Sequence, residues 1–173
     1  MSIPSRHASP LRVIANTRTF FVTSSICEKR NLLQSDLSAK LFISVLYDYR
    51  AQQKFALHDF VVMPDHFHAL LTLERDITIE RAVQFIKGGF AFRAGRELSF
   101  TAPVWQKGFS EIRIEDAGAF SKISEYIRNN PVARHLVAEA TRYPYSSAYP
   151  GFELDLTPQG LKPHSPSDLQ RHG

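Results

Sequence analysis

Two runs of β-forming residues, separated by one Pro-Asp dipeptide, constrain the fold of this chain more than any other feature. The runs are Phe55–Met63 and His66–Leu73, and Pro64-Asp65 lies between them. Proline fixes its φ angle and aspartate favours turns, so the dipeptide predicts a tight reversal. The sequence therefore predicts an antiparallel hairpin, which we expect at the centre of a sheet.

Helical and strand patterns on either side of the hairpin predict the rest of the architecture. The predicted elements are a strand at 18–26, helices at 35–53 and 77–95, a short strand at 109–114 and a helix at 116–130, which Pro131 is expected to end. The order strand, helix, hairpin, helix, strand, helix is typical of the α+β class. We expect a ferredoxin-like antiparallel sheet with helices packed on it.

Length and composition indicate one folded unit between two polar ends. The chain has 173 residues, of which 43% are hydrophobic and 22% charged, as in a single globular domain rather than a disordered or membrane-spanning chain. We predict a flexible segment at 1–17, a domain at 18–148 and a Pro/Ser-rich tail at 149–173. Because Cys27 is the only cysteine, no intrachain disulfide can form, which favours a reduced, cytoplasmic protein. No apolar run approaches the roughly 20 residues that cross a bilayer, so we expect no membrane association.

Basic residues are concentrated in one stretch of the chain, whose formal net charge is +4 at pH 7. Between positions 81 and 113 two residues are acidic, Glu97 and Glu111. Six are basic, namely Arg81, Lys87, Arg93, Arg96, Lys107 and Arg113. Such a surplus is typical of nucleic-acid-binding proteins, and a solvated helix face is the alternative interpretation.

His66 and His68 are the first candidates for a functional site. Alternate side chains of a strand share a face, so the two imidazoles project together and Phe67 projects to the other side. Neutral imidazole is the commonest nitrogen ligand of divalent metals, so the pair predicts a metal site. The alternative is two histidines hydrogen-bonded at the sheet surface. The next segment, Ala69–Leu71, excludes the motifs of metallo-β-lactamase-like and histidine-triad hydrolases.

Tyr126 and Asn130 are the second pair of candidates. They are four residues apart in a predicted helix, so they lie on one ridge, beside the apolar stripe that contains Ile123 and Ile127. The tyrosine hydroxyl could reach a groove, and the asparagine oxygen could offer a metal a hard ligand. The alternative is a packing tyrosine at a helix edge.

Four sequence blocks resemble a known family. They are Val61–Leu71, Val104–Phe109, Glu125–Val132 and Tyr143–Ser147. In order and spacing they resemble the REP-associated tyrosine transposases, which belong to the single-tyrosine HUH transposases of insertion sequences. The resemblance extends over 18–147 and implies an HUH endonuclease fold.

The resemblance also implies a reaction. In that family the paired histidines, here His66 and His68, hold Mg²⁺ or Mn²⁺ together with a helical amide, here Asn130. The tyrosine, here Tyr126, attacks a DNA phosphate, which gives a 5′-phosphotyrosine and a free 3′-OH without a nucleotide cofactor. Many members have Tyr-Asp where this chain has Ser-Glu, so an auxiliary acidic role is expected for Glu111.

The substrate implied by the resemblance is single-stranded or hairpin DNA of palindromic repeats, which predicts a nucleoid-associated location. We expect phosphate contacts from the six basic residues between 81 and 113. Trp105 is expected either to stack on unpaired bases or to lie in the core. The resemblance leaves open whether the protein is a monomer or a homodimer. The alternative function is a catalytically silent, domesticated single-stranded nucleic-acid-binding protein on the same fold.

Overall fold

A four-stranded antiparallel sheet forms the centre of the fold. The computed structural model describes residues 18–163. The strands are β1 (Thr19–Ser25), β2 (Phe55–Met63), β3 (His66–Leu73) and β4 (Ser110–Ile114). Their order in the sheet is β2-β3-β1-β4, and every pair is antiparallel. With helices between the strands, this is the βαββαβ arrangement of ferredoxin-like proteins.

Three helices cover the sheet: α1 (Asp36–Ala51), α2 (Ile79–Glu97) and α3 (Ala117–Ala133). A side-chain oxygen caps the start of each helix by accepting a hydrogen bond from a backbone N–H of the first turn, and the capping residues are Ser35, Thr78 and Asp116. The helices α1 and α2 pack on one face of the sheet, whereas α3 packs on the other. The α+β prediction is confirmed.

The face covered by α1 and α2 carries an aromatic core. Between ring centroids, Phe67 of β3 lies 4.7 Å from Phe42 of α1 and 5.6 Å from Trp105. Phe90 of α2 lies 5.6 Å from Phe42 and from Trp105. Large aromatic rings in contact remove much apolar surface from water, so these residues are a main source of stability.

The predicted hairpin forms with the expected bounds, but its place in the sheet differs from the prediction. The strand β3 is an inner strand, as predicted, but the order β2-β3-β1-β4 places β2 at one edge, next to β3 alone. A later segment covers the free edge: the N–H of Val62 donates to the carbonyl of Tyr145 at 2.8 Å, and the N–H of Ser147 donates to the carbonyl of Phe60 at 2.9 Å. These bonds satisfy backbone groups that would otherwise be buried without partners.

The helix α3 continues past Pro131, where the sequence predicted its end. It extends to Ala133. A proline near a helix C-terminus removes one backbone donor, and the following turn still closes: the N–H of Arg134 donates to the carbonyl of Asn130 at 3.0 Å, and that of Leu136 to the carbonyl of Pro131 at 2.9 Å. The extra turn keeps Asn130 inside the helix.

Residues 149–163, which fall in the predicted tail, lie against the domain. The ring of Phe152 packs on that of Phe60 with 5.0 Å between centroids. The N–H of Asp155 donates to the carbonyl of Leu57 at 2.8 Å, and the Asp155 carboxylate accepts from the N–H of Leu57 at the same distance. The segment thus extends the cover over the edge of β2.

Two predicted regions fall wholly or partly outside the part of the chain that the structure describes. The flexible segment at 1–17 lies wholly outside it, and the tail at 149–173 lies outside it from residue 164 onward. Within residues 18–163, none of the helices has the length and apolar character needed to cross a membrane.

Candidate active site

The two histidines of β3 lie side by side on the face that α3 covers. His66 and His68 are both buried, with 7% and 6% of their surface exposed. Their ring centroids are 4.8 Å apart. In the pairing of β1 with β3, Thr23 is opposite His68 and Ser25 is opposite His66. Because alternate residues of a strand share a face, both imidazoles reach one point.

One nitrogen of each imidazole is already engaged. Nδ1 of His66 lies 2.6 Å from Oδ1 of Asp65, and Nδ1 of His68 lies 2.7 Å from Oγ1 of Thr23. Within residues 18–163 no group is hydrogen-bonded to Nε2 of either ring. Metal-binding histidines commonly hold their second nitrogen in such a bond, which fixes the orientation of the ring. Both rings therefore present Nε2 as the available ligand atom.

His68 is neutral over the whole physiological range. Burial lowers its pKa to about 3, and the nearby charges of His66 and Arg134 act in the same direction. Neutral imidazole is the form that binds metals, so burial prepares this ring for ligation.

Tyr126 of α3 contacts this site. Its ring centroid lies 5.5 Å from that of His68 and 5.9 Å from that of Phe21, both in edge-on arrangements. Phe21 in turn stacks on His68 at 5.2 Å. Half of the Tyr126 surface is exposed. The phenol is therefore held against the histidine site and is still accessible to a substrate.

Asn130 lies one turn beyond Tyr126 and is 3% exposed. The helix α3 passes from Phe120, which contacts His58, to Tyr126, which contacts His68, so it continues toward the His66 end of β3. Four residues advance a helix by about 6 Å. Oδ1 of Asn130 is the one buried side-chain polar atom within residues 18–163 that has no hydrogen-bond partner. A buried acceptor of this kind needs an explanation, because leaving it unpaired costs about 1–3 kcal/mol.

The donor set fits a divalent cation. Two imidazole nitrogens, of His66 and His68, and the amide oxygen of Asn130 offer a divalent cation three neutral ligands and leave coordination positions for water or a phosphate oxygen. No group of three or more His, Cys, Asp or Glu in the described part of the chain could hold a metal. A site here therefore depends on Asn130, whose unpaired oxygen agrees with a bound cation.

The family is established by comparison with known sequences. A family model described as "Transposase IS200 like" matches residues 18–130. This range contains the histidine pair, Tyr126 and Asn130. The chain belongs to the IS200-like transposase family.

Individual relatives agree with this assignment. The transposase is 26% identical to the REP-associated tyrosine transposase of Escherichia coli (strain K12) over 146 residues, which are 84% of this chain and 82% of the relative. An uncharacterized protein of Haemophilus influenzae is 29% identical over 97 residues, which are 44% of this chain and 54% of that protein. The resemblance noted in the sequence is confirmed.

Two solved structures share the fold. A REP-associated tyrosine transposase bound to a REP hairpin matches with a TM-score of 0.66 and 22% identity, over 92% of this chain and 97% of that one. A transposase, named as putative, from Deinococcus radiodurans matches with a TM-score of 0.51 and 19% identity, over 75% of this chain and 97% of that one. At these identities the matches establish the fold alone.

A polar groove of 360 Å³ lies beside the histidine pair of the transposase. It is lined by residues of β1, of the short helical turn Cys27–Lys29 and of the loop before β4, among them Thr23, Ser25, Lys29, Lys107 and Phe109. Thr23 also holds Nδ1 of His68, so the groove adjoins the ring. Of the basic residues that the sequence indicated for DNA binding, Lys107 is the one that lines this groove. Lys29 was not predicted.

The three arginines of α2 lie away from the histidines, because α2 covers the opposite face of the sheet. Arg93 pairs with Glu97 at 2.9 Å and with Asp48 of α1 at 3.1 Å. Arg81 and Arg96 each lie over an aromatic ring of their own helix. The structure does not bring these side chains to the candidate site.

Lys87 and Trp105 make structural contacts, which were not predicted for Lys87 and which agree with the core alternative for Trp105. Nζ of Lys87 donates to the carbonyls of Gln106 and Gly108 at 2.9 and 2.8 Å, and burial lowers its pKa. Nε1 of Trp105 donates to the carbonyl of Lys87 at 2.9 Å, and its ring packs in the aromatic core. Trp105 is therefore not free to stack on a base, and Lys87 holds the loop that lines the groove.

Glu111 and Arg113 of β4, which were predicted as site residues, lie on the face of the sheet opposite the histidines. Glu111 pairs with Val22, and Arg113 pairs with Phe20, whereas the site-facing residues of β1 are Phe21 and its alternates. Strand alternation places Glu111 and Arg113 on the side of α1 and α2. The auxiliary acidic role expected for Glu111 is therefore not supported by its position.

Several residues of the site were not predicted from the sequence. Asp65 was interpreted as a turn residue, although its place directly before His66 was a possible signal. Thr23 and Phe21 contact His68 across the β1–β3 pairing, and nothing local to β1 indicates this. Arg134 is the residue directly after α3, beyond the predicted helix end.

Proposed function

We propose that this transposase is a metal-dependent DNA strand transferase that cleaves and rejoins single-stranded or hairpin DNA through Tyr126. The observation that carries the proposal is the edge-on contact between the rings of Tyr126 and His68, at 5.5 Å, on a helix whose next turn holds the unpaired Asn130 oxygen. A nucleophile and a set of metal ligands thus share one site.

The reaction begins at Oη of Tyr126. This oxygen attacks the phosphorus of the scissile phosphodiester and loses its proton, while the bond from phosphorus to O3′ breaks and O3′ takes up a proton. The products are a 5′-phosphotyrosine and a free 3′-OH. Attack of a 3′-OH on the phosphotyrosine reforms a phosphodiester and releases Tyr126. Because the covalent intermediate conserves the phosphoester bond, the cycle needs no nucleotide cofactor.

His66, His68 and Asn130 are the residues that would hold Mg²⁺ or Mn²⁺. Such a cation supplies Lewis-acid stabilisation of the negative charge that develops on the phosphate oxygens. Asp65 and Thr23 keep the two imidazoles oriented through their Nδ1 atoms. The rings therefore need little reorganisation when the substrate binds.

The polar groove beside the histidines is the proposed path of the DNA strand next to the scissile phosphate. Lys29 and Lys107 supply positive charge there, and Phe109 offers an aromatic surface. Arg134 is a further cation near the site. A structural neighbour is bound to a REP hairpin, which supports a hairpin of palindromic repeat DNA as the substrate class.

A covalent adduct on a denaturing gel tests the proposed nucleophile. The purified protein is incubated with Mn²⁺ and labelled single strands that carry palindromic repeats from the regions flanking its coding sequence. We expect a protein–DNA adduct that Tyr126→Phe abolishes. Tyr149→Phe is the matched control, because Tyr149 is also exposed, at 40%, and should leave the adduct unchanged.

Two results would contradict the proposal. One is an adduct that persists in Tyr126→Phe. The other is a wild-type protein that binds the hairpins and forms no adduct with any of them, which would favour the catalytically silent DNA-binding alternative.

The proposed ligands are tested by the effect of Mn²⁺ on thermal unfolding. A cation at 100 times its dissociation constant stabilises the native state by about 2.7 kcal/mol, so Mn²⁺ should raise the Tm of the wild type. The double variant His66→Ala/His68→Ala should lose this shift, and Asn130→Ala should reduce it. His58→Gln is the control, because His58 is buried on the same face but both of its ring nitrogens are hydrogen-bonded. An unchanged shift in the double variant would place the metal elsewhere.

A further inference from the structure

A buried carboxylate outside the histidine site ties the tyrosine helix to the sheet. Asp59 of β2 is 2% exposed. One of its oxygens accepts from Nε of Arg128 at 2.9 Å and from Oγ of Ser147 at 2.7 Å, and the other accepts from Oγ of Ser124. A buried carboxylate has about four acceptor positions, of which three are occupied here, and each of these bonds is directional.

Two of the three donors flank the proposed nucleophile. Ser124 and Arg128 lie two residues before and two residues after Tyr126 on α3. They are four residues apart, so they form one ridge that faces β2, while Tyr126 and Asn130 form another ridge that faces β1 and β3. A pair of bonds on one ridge sets both the rotation of the helix about its own axis and its height, that is, its position along the strand.

Apolar contacts, through residues such as Phe120 and Ile127, also hold α3 on the sheet. Apolar contact is not directional, so it holds the helix close without choosing one rotation or one height. The attack of Tyr126 needs its oxygen within a few tenths of an ångström of the right place, because misplacement by about 1 Å can cost 10²-fold in rate.

We propose that Asp59 is a positioning residue for the strand-transfer reaction: through Ser124 and Arg128 it holds α3 at the rotation and height at which Tyr126 faces the histidine pair. The inference rests on the proposed function, since it assigns a role in placing the nucleophile. Asp59 itself touches neither substrate nor metal in this scheme.

Ser147 provides a matched control within the same cluster. Its hydroxyl donates to the Asp59 carboxylate just as Ser124 does, but it belongs to the segment that covers β2 rather than to α3. It also accepts from the N–H of Phe60 at 3.1 Å. Its loss should therefore destabilise the fold at least as much as the loss of Ser124, without releasing the tyrosine helix.

The test compares Asp59→Asn, Arg128→Gln and Ser124→Ala with Ser147→Ala. For each variant we would measure thermal unfolding, affinity for the hairpin DNA and the single-turnover rate of adduct formation at saturating DNA. We expect Asp59→Asn and Arg128→Gln to slow the adduct by about 10- to 100-fold while hairpin affinity changes by less than about twofold. Ser147→Ala should lower the Tm and leave the rate within about threefold of wild type.

Two further measurements separate positioning from general loss of structure. Hydrogen exchange of the backbone amides in 117–133 should accelerate in Asp59→Asn and Arg128→Gln and not in Ser147→Ala. The double variant Asp59→Asn/Arg128→Gln should be no slower than the slower single variant, because both changes remove one shared interaction.

The inference is overturned if Asp59→Asn forms adduct at the wild-type rate, or if the rates of all four variants simply follow their Tm values. Those outcomes leave the proposed function standing, since the wild type still forms its adduct. A wild type that forms no adduct overturns the proposed function and the positioning role together. Accelerated exchange in α3 would then report a structural anchor and nothing more.

Discussion

The two faces of the sheet are built on different physical principles. The face under α1 and α2 is closed and aromatic, with Phe42, Phe67 and Phe90 fully buried. The face under α3 carries buried polar groups, including His68 and Asp59, beside the half-exposed Tyr126. Neighbouring residues of β3 lie on different faces, so this one strand contributes both to the aromatic core and to the histidine site.

The difference explains where stability and chemistry reside. Apolar packing depends on volume and buried area, so the closed face can hold the strand rigidly without fixing any single polar geometry. The polar face depends on directional bonds, such as those from Thr23 and Asp65 to the imidazoles. A substitution on the closed face should therefore act on folding, and one at the histidine pair should act mainly on activity.

Substitutions of two adjacent residues of β3 should have the largest effects, one on the free energy of unfolding and the other on adduct formation. Phe67→Ala removes a fully buried ring from the aromatic core and should lower the free energy of unfolding by about 3–5 kcal/mol. His68→Ala should abolish adduct formation and lower the free energy of unfolding by about 1 kcal/mol, through the lost bond with Thr23. Urea unfolding and the adduct assay measure the two effects. Equal destabilisation by both changes would contradict the division between the faces.

The pH dependence of stability gives a second test, on the polar face. Nδ1 of His58 lies 3.0 Å from the carbonyl oxygen of Asp155, and burial lowers the pKa of His58. Below about pH 6.5 the unfolded chain takes up a proton that the folded His58 does not, so stability falls as the pH falls, by up to about 1.4 kcal/mol per pH unit. Urea unfolding between pH 7.5 and 5 measures the slope.

His58→Gln should flatten this slope relative to the wild type. The buried His68 contributes a slope of the same sign in both proteins, so the informative quantity is the difference between them. Identical slopes would show that His58 does not contribute.

Two neighbouring glycines of α2 sharpen the comparison on the closed face. A Cβ at Gly89 would lie 2.9 Å from the Tyr49 ring and 3.2 Å from Val45, whereas one at Gly88 meets nothing within 4 Å. We expect Gly88→Ala to raise the free energy of unfolding by about 0.5–1 kcal/mol, through helix propensity, and Gly89→Ala to lower it. Thermal unfolding of both variants measures the contrast, and a stabilised Gly89→Ala would show that α1 and α2 can separate freely.

The smallest effect is expected from single surface cations. Lys107 lines the groove beside the histidines, whereas Arg93 is paired between α1 and α2 on the closed face. Lys107→Met should weaken hairpin binding by about two- to fivefold and reduce the salt slope by about one. Arg93→Met should leave both unchanged. Fluorescence anisotropy at several salt concentrations measures this, and the reverse result would place the DNA on α2.

Much of the fold could be predicted because it depends on local patterns. The bounds of β2 and β3 follow from two β-rich runs and the Pro-Asp turn between them. The place of β2 at an edge could not be predicted, because it depends on β1 pairing between β3 and β4. The expected end of α3 at Pro131 was wrong, because one lost backbone donor near a helix end does not stop the last turn.

The residues of the candidate site likewise fall into those that could be predicted from local patterns and those that could not. The histidines and the tyrosine ridge follow from the periods of strand and helix, which act within a few residues. The structure does not bring most of the residues predicted on α2 and β4 to the histidines, because the direction of their side chains depends on which face each element covers. Glu111, for example, is close to the site in the pairing of β4 with β1, yet it points to the opposite side of the sheet.

The sequence by itself determined the order of the elements, the shared face of His66 and His68 and the ridge that joins Tyr126 to Asn130. Tertiary structure alone decided that α3 lies over the histidines, that the arginines of α2 lie on the other face, and that Asp59 anchors the tyrosine helix. The physical reason is the separation, along the chain, of the residues that interact. Backbone periodicity is a property of adjacent residues, whereas contacts such as that of Asp59 with Ser147, 88 positions apart, exist only after the chain has folded.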